Sequence, residues 1–195
     1  MEKKVVIVLL LICLCLTGCG TNKNENLEQN VKKIELTGNL VTHKAYFHNV
    51  IEYDKKKGSG ALGLLEKDRK LFAEYTGTIK LGIDLTKVKI DVSGNQINVT
   101  VPKAMIIGEP NVDKDDFKEE NFIESKDGFI KNKLSIEDSS QAFNEAQENM
   151  KEAAANNNEL LSIAQKRAKV ILEENIRQFS NLSEDKYTIN WEYQY

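Results

Sequence analysis

Apolar and polar positions alternate most regularly in the middle of the chain. Leu71, Ala73, Tyr75, Gly77, Ile79, Leu81 and Ile83 interleave with Phe72, Glu74, Thr76, Thr78, Lys80 and Gly82. A period of two is the signature of a strand with one buried face. Asp84 to Lys87 turns the chain, Val88, Ile90 and Val92 alternate again, Ser93-Gly94-Asn95 supplies turn chemistry, and Ile97, Val99 and Val101 return. This pattern predicts a meander of three antiparallel strands. Pro102 has no amide hydrogen and ends the ladder, and Ala104 to Ile107 adds a short strand. Upstream, Ile34 to Tyr53 is rich in β-branched and aromatic residues around Gly38-Asn39, so two strands, or one long bent strand, precede the meander.

The period changes at Ser135. Ser135 and Asp138 have the spacing of a capping box, and Phe143, Ala146, Met150 and Ala153, then Leu160, Ala164, Ala168, Ile171 and Phe179, recur at three and four residues. That spacing draws one apolar, alanine-rich face suited to close packing on a sheet. Unbroken from Ile136 to Phe179, such a helix would be about 65 Å long, against a radius of gyration near 15 Å for a domain of this size. Asparagine is a poor helix former. A bend or break near Asn156-Asn157-Asn158 is therefore expected, with Asn156 and Glu159 as a second capping box. The chain then alternates once more through Tyr187, Ile189, Trp191, Tyr193 and Tyr195. This is a terminal strand whose aromatic face either joins the core or forms a stacking platform for sugars. Between strands and helix, Glu109 to Lys133 is mostly charged, with Phe117, Phe122, Ile123, Phe129 and Ile130 as occasional anchors, and reads as a solvated loop or short hairpin.

The beginning of the chain has another character. Lys3 and Lys4 precede an apolar run from Val5 to Leu16, the anatomy of a secretory signal. As a helix this run reaches only about 18 Å, short of the roughly 30 Å hydrocarbon core. Leu16-Thr17-Gly18-Cys19 follows and resembles the bacterial lipoprotein box, cut before Cys19 once its thiol carries a diacylglyceryl group. Residues 1–18 are thus expected to be a signal peptide. Residues 19–30 are read as a lipidated cysteine and a flexible polar tether, and residues 31–195 as a single domain.

Charge and cysteine content narrow the chemistry. The full chain carries −3, and losing Lys3, Lys4 and Glu2 leaves it slightly more acidic, which argues against nucleic acid. Of the three cysteines, Cys13 and Cys15 leave with the signal and Cys19 is modified. That removes disulfides, thiolate metal sites and a cysteine nucleophile from the domain. His43 and His48 are the only histidines, and on one strand their odd separation puts them on opposite faces. Asp113, Asp115 and Asp116 suggest calcium, but Phe117-Lys118 stand where an EF-hand needs a third ligand and glycine. Gly58-Ser59-Gly60-Ala61-Leu62-Gly63 spells a dinucleotide-loop pattern without the strand and helix that give it meaning, so it reads as a mobile loop. Its one functional alternative is a lid in which Lys55, Lys56 and Lys57, with Gly58, Gly60 and Gly63, hold an anionic group. No catalytic residue, metal or cofactor is implied.

Glu74 to Val88, Ile97-Asn98-Val99-Thr100-Val101-Pro102-Lys103-Ala104, and the helix bearing Ala164, Lys166, Ala168 and Lys169 together resemble an uncharacterised group of bacterial proteins, the domain-of-unknown-function family numbered 4230. Within the first stretch, Gly82-Ile83-Asp84-Leu85 is the most specific part. The resemblance implies a shared α+β fold and offers no activity. The expectation is an α+β domain, a mainly antiparallel sheet packed on a long C-terminal helix and closed by a terminal strand. It would be held at the extracytoplasmic side of a bacterial membrane by Cys19 and act as a non-catalytic binding or scaffolding module, with an envelope protein as partner. Capture of a small anion by the lysine loop is the alternative, and a hydrolase using carboxylates alone the remotest reading.

Overall fold

The alternating segments build a long two-stranded ribbon in the computed structural model, which describes residues 36–57, 68–124, 134–180 and 187–194. Strand β1 (Asn39–Lys55) pairs antiparallel with β2 (Arg69–Asp84), from Asn39 opposite Asp84 to Lys55 opposite Arg69. The bend lies at Gly38, with φ of 78°, so β1 is one strand. Its register slips between Val41 and His43. This bulge changes which residues face inward: Leu40 and Thr42 before it, then Ala45, Phe47, Ile51 and Tyr53 after it. Thr42 uses the kink to donate its hydroxyl to the carbonyl of Ala164 at 2.7 Å.

The three-stranded meander is not formed. Strand β2 pairs on its far edge with three two-residue strands, β5 (Met105–Ile106), β6 (Asn111–Val112) and β7 (Ile123–Glu124), each antiparallel to a different stretch of it. Strands β3 (Lys89–Ser93) and β4 (Gln96–Val101) leave as a hairpin and make a second sheet with β8 (Thr188–Tyr193), which runs parallel to β4. The divergence begins at Asp84, whose carboxylate accepts from the Thr86 amide at 3.0 Å and hydroxyl at 2.6 Å. A 3₁₀ turn at Leu85–Lys87 then redirects the chain.

Helix α1 (Ile136–Ala155) and helix α2 (Asn158–Ser180) cover the inner face of the ribbon. The expected break is present. Asn156 ends α1, but Asn157, one residue later than the spacing suggests, accepts from the Leu160 amide at 3.1 Å and starts α2. Ala142, Ala146, Met150 and Ala154 on α1 are buried with Ala164, Ala168, Leu172 and Ile176 on α2. The alanines among them let the helices approach the strands closely, while Met150, Leu172 and Ile176 fill the larger spaces. The core also takes in Ile79, Leu81 and Ile83 of β2 and Ile97, Val99 and Val101 of β4, so both sheets share one interior.

From Glu109 to Glu124 the charged stretch is held more firmly than a solvated loop. Phe117 is buried against Tyr75, Phe122 and Phe143, with ring centroids 5.9, 6.3 and 5.5 Å away. Ile123 is 66 % exposed, and Phe129 and Ile130 lie outside the described residues. Tyr187 just before β8 and Ile189, Trp191 and Tyr193 on it pack half-buried on the core, and Tyr195 lies outside the described residues. Gln165 is buried and donates to the Pro102 and Gln194 carbonyls at 2.9 and 3.0 Å, joining α2 to the ends of both strands. Among the described residues no helix is long and apolar enough to cross a membrane.

Candidate functional site

The lysine loop is the first place to look for a ligand, and its lysines diverge. Lys55 belongs to β1, not to the loop, and continues the inward series of Ile51 and Tyr53. It is 7 % exposed, and its ammonium lies 2.6 Å from Asp138. Asp138 also accepts from the Ser135 amide at 2.7 Å and hydroxyl at 2.6 Å, and from the Tyr53 hydroxyl at 3.3 Å. Burial pushes the Asp138 carboxyl up, but the hydrogen bonds from Lys55 and Ser135 outweigh it and hold the group at about 2. Burial first, then the Asp138 charge, pushes the Tyr53 phenol up. Lys55 therefore clamps the end of β1 to the start of α1 and is no anion ligand.

Lys56 and Lys57 both meet Asp68 at the neck of the loop. The Lys57 amide donates to it at 2.9 Å, and the Lys56 ammonium lies 3.5 Å away. The amide bond, the largest influence, holds the Asp68 carboxyl below its ordinary value. Both partners of the ion pair are exposed, so it adds little stability. Gly58, Gly60, Gly63 and Cys19 lie outside the described residues. The three aspartates considered for calcium do not converge. Asp113 accepts from the Asp115 amide at 3.0 Å, Asp115 pairs with Lys118 at 3.0 Å, and Asp116 accepts from the Thr76 amide at 2.8 Å. Among the described residues no group of three or more His, Cys, Asp or Glu could hold a metal ion.

A site that the sequence reading passed over lies on the outer face of the ribbon, away from the helices. The bulge in β1 turns Lys44, Tyr46, His48, Val50 and Glu52 outward. Opposite them on β2 stand Lys80, Thr78, Thr76, Glu74 and Phe72. Tyr46 is 78 % and Val50 60 % exposed. With His48, Thr76, Thr78, Asn111 and Lys114, Tyr46 lines an open groove of about 800 Å³. Lys44 lies 5.3 Å from the Tyr46 ring centroid, and His48 Nε2 lies 3.5 Å from Glu74. The histidines fall on opposite faces as expected, for Arg167 of α2 donates to His43 Nδ1 at 3.0 Å. Asp116 fixes the groove wall by taking both the amide and the hydroxyl of Thr76. An aromatic ring, hydroxyls, an amide, an imidazole and a lysine on an open surface suit contact with a partner or polymer. The signal that marks this face was the presence of Tyr46 and Val50 in the outward-facing phase of an otherwise polar series.

The class is thus an α+β domain in which helices seal one face of a long antiparallel ribbon and leave the other open. The chain belongs to the family DUF4230, described as a protein of unknown function, whose profile matches residues 32–189. No curated protein and no solved structure matches the chain significantly.

Proposed function

We propose that this chain is a lipoprotein of the bacterial cell envelope, anchored through a diacylglyceryl group on Cys19, whose domain is a non-catalytic binding or scaffolding module. The observation that carries the reading is Leu16-Thr17-Gly18-Cys19 placed directly after a basic start and an apolar run too short to span a bilayer. Each buried methylene contributes about 0.8 kcal/mol, and two acyl chains hold stably where one does not. The polar composition of Gly20 to Asn30 suits a tether between anchor and domain. Binding is supported by the open outer face, where Tyr46 and Val50 are exposed among polar residues.

The test uses the full chain produced in a bacterium. Labelled palmitate should enter the protein, and the protein should partition with detergent-extracted membrane. Cys19→Ser should abolish the label and release the domain or leave it as an uncleaved precursor. A Cys19→Ser chain that still took up palmitate and stayed processed in the membrane would overturn the reading.

A further inference from the structure

Strand β1 ends its sheet, pairing only with β2 among the described residues. We propose that its other edge pairs with the same edge of a second copy of this chain, antiparallel and two-fold symmetric about His48.

The backbone is oriented for it. The Thr76 amide and carbonyl point away from β1, to Asp116 at 2.8 Å and to the Asp113 amide at 3.0 Å. Likewise the Lys80 carbonyl accepts from the Ile107 amide at 2.8 Å. Thr76 faces His48, and Lys80 faces Lys44, so both are pairs without mutual hydrogen bonds. In an antiparallel ladder such pairs alternate with bonded ones and send their polar groups to the outer edges. The N–H and C=O groups of Lys44, Tyr46, His48, Val50 and Glu52 therefore point at the free edge. A second β1 in this register would satisfy them with about ten hydrogen bonds.

Side chains choose the register. With His48 opposite His48, Tyr46 meets Val50 of the second copy and Lys44 meets its Glu52, each twice. The two most exposed apolar groups of the strand then cover each other. Lys44, which within one copy faces the like charge of Lys80, gains a carboxylate, and Glu52, already paired with Lys70, gains a second cation. Opposite-charge and apolar cross-strand pairs stabilise sheets and like-charge pairs destabilise them. Shifting the register by two puts Glu52 against Tyr46 and loses the apolar match. A long edge strand left bare is also an aggregation hazard that proteins cover, and a symmetric dimer is the commonest cover among homo-oligomers.

The full chain carrying His48→Cys, expressed in a bacterium and oxidised mildly on intact cells, reads this directly. Facing residues of a bonded antiparallel pair lie about 5.5 Å apart at Cα, within disulfide reach. A disulfide-linked dimer should dominate, above the background of the unaltered chain with its Cys13, Cys15 and Cys19. Glu52→Cys should give none, since its equivalents would lie about 26 Å apart along the strands. Adding Lys44→Glu to His48→Cys should cut the cross-linked fraction several-fold, and adding Glu52→Lys as well should restore it. The double variant Tyr46→Cys with Val50→Cys should also cross-link, which covers a failure of the His48 variant to fold. Cross-linking from Glu52→Cys equal to that from His48→Cys, or none from either cysteine design in chains that melt like the parent, would overturn the proposal.

Discussion

Asp138→Ala is expected to destabilise the domain by about 3–5 kcal/mol, the range for breaking one side of a buried ion pair. The mutation takes the carboxylate from an ammonium whose side chain is only 9 % exposed. It also removes one half of the capping box that starts α1, and the Tyr53 hydroxyl keeps only Gln141, at 3.1 Å, of its two acceptors. Urea melts at pH 7 measure the loss. Lys55→Met should cost less, because Asp138 keeps the Ser135 amide and hydroxyl while the methionine fills a similar volume. The pH dependence has a defined sign. The Asp138 carboxyl is held at about 2, below its ordinary 3.8, so the folded state resists protonation more than the unfolded one. Its contribution is complete above about pH 5 and fades as the pH falls through 4 towards 2. The stability gap between parent and Asp138→Ala should narrow over that window. A gap that stayed constant down to pH 2.5 would count against the assigned pairing.

Gly82→Ala should be of similar severity for another reason. A Cβ at Gly82 would lie 1.9 Å from the Leu40 carbonyl oxygen, 2.8 Å from its carbon and 3.0 Å from the Val41 Cα. All three are backbone atoms, so no flexible side chain can move aside. The β1 bulge would have to reopen, and with it the contact of Thr42 with α2. An expected loss of about 3–5 kcal/mol places it among the large single-residue effects and lowers the melting temperature by roughly 10 °C for a domain of this size. Gly77→Ala provides the contrast. There the nearest atom is the Met150 methyl at 2.8 Å, with the Asn111 carbonyl at 3.0 Å, and methionine adapts. About 1–2 kcal/mol is expected, in the range of ordinary overpacking. Equal effects at the two glycines would mean that the bulge at Val41 to His43 yields easily.

These two sites show how far residues alone carry the structure. Period-two alternation identified β2, β3, β4 and β8, β-branched and aromatic content marked the segment of β1, and the alanine stripe with three asparagines marked a long helix and the place where it breaks, because all these signals are local. Alternation reports which face of a strand is buried and is silent about its neighbours. That is why β3 was expected beside β2, when β5, β6 and β7 stand there. Strands of two residues are too short to show a period at all. Lys55 looked like one of three equivalent lysines, yet it sits in phase with Ile51 and Tyr53, and that phase, rather than its charge, decides its place. Asn49, inward-facing but only half-buried, follows the same rule. The outer groove was hidden because its residues come from strands far apart in sequence and include no motif.

The parallel pairing of β4 with β8 bears on when the domain can finish folding. Gln96 pairs with Thr188 and Val101 with Tyr193, so β4 waits for a strand made long after it, while its hairpin with β3 forms locally. Closing so long a loop carries an entropic cost before any contact offsets it, and non-local pairing is slow. Until β8 arrives, one edge of the second sheet stays open, and the buried amide of Gln165 lacks the Gln194 carbonyl it donates to. A chain made from its amino end thus remains incompletely folded until residues 188–193 have been added, so the second sheet is the last part of the domain to close.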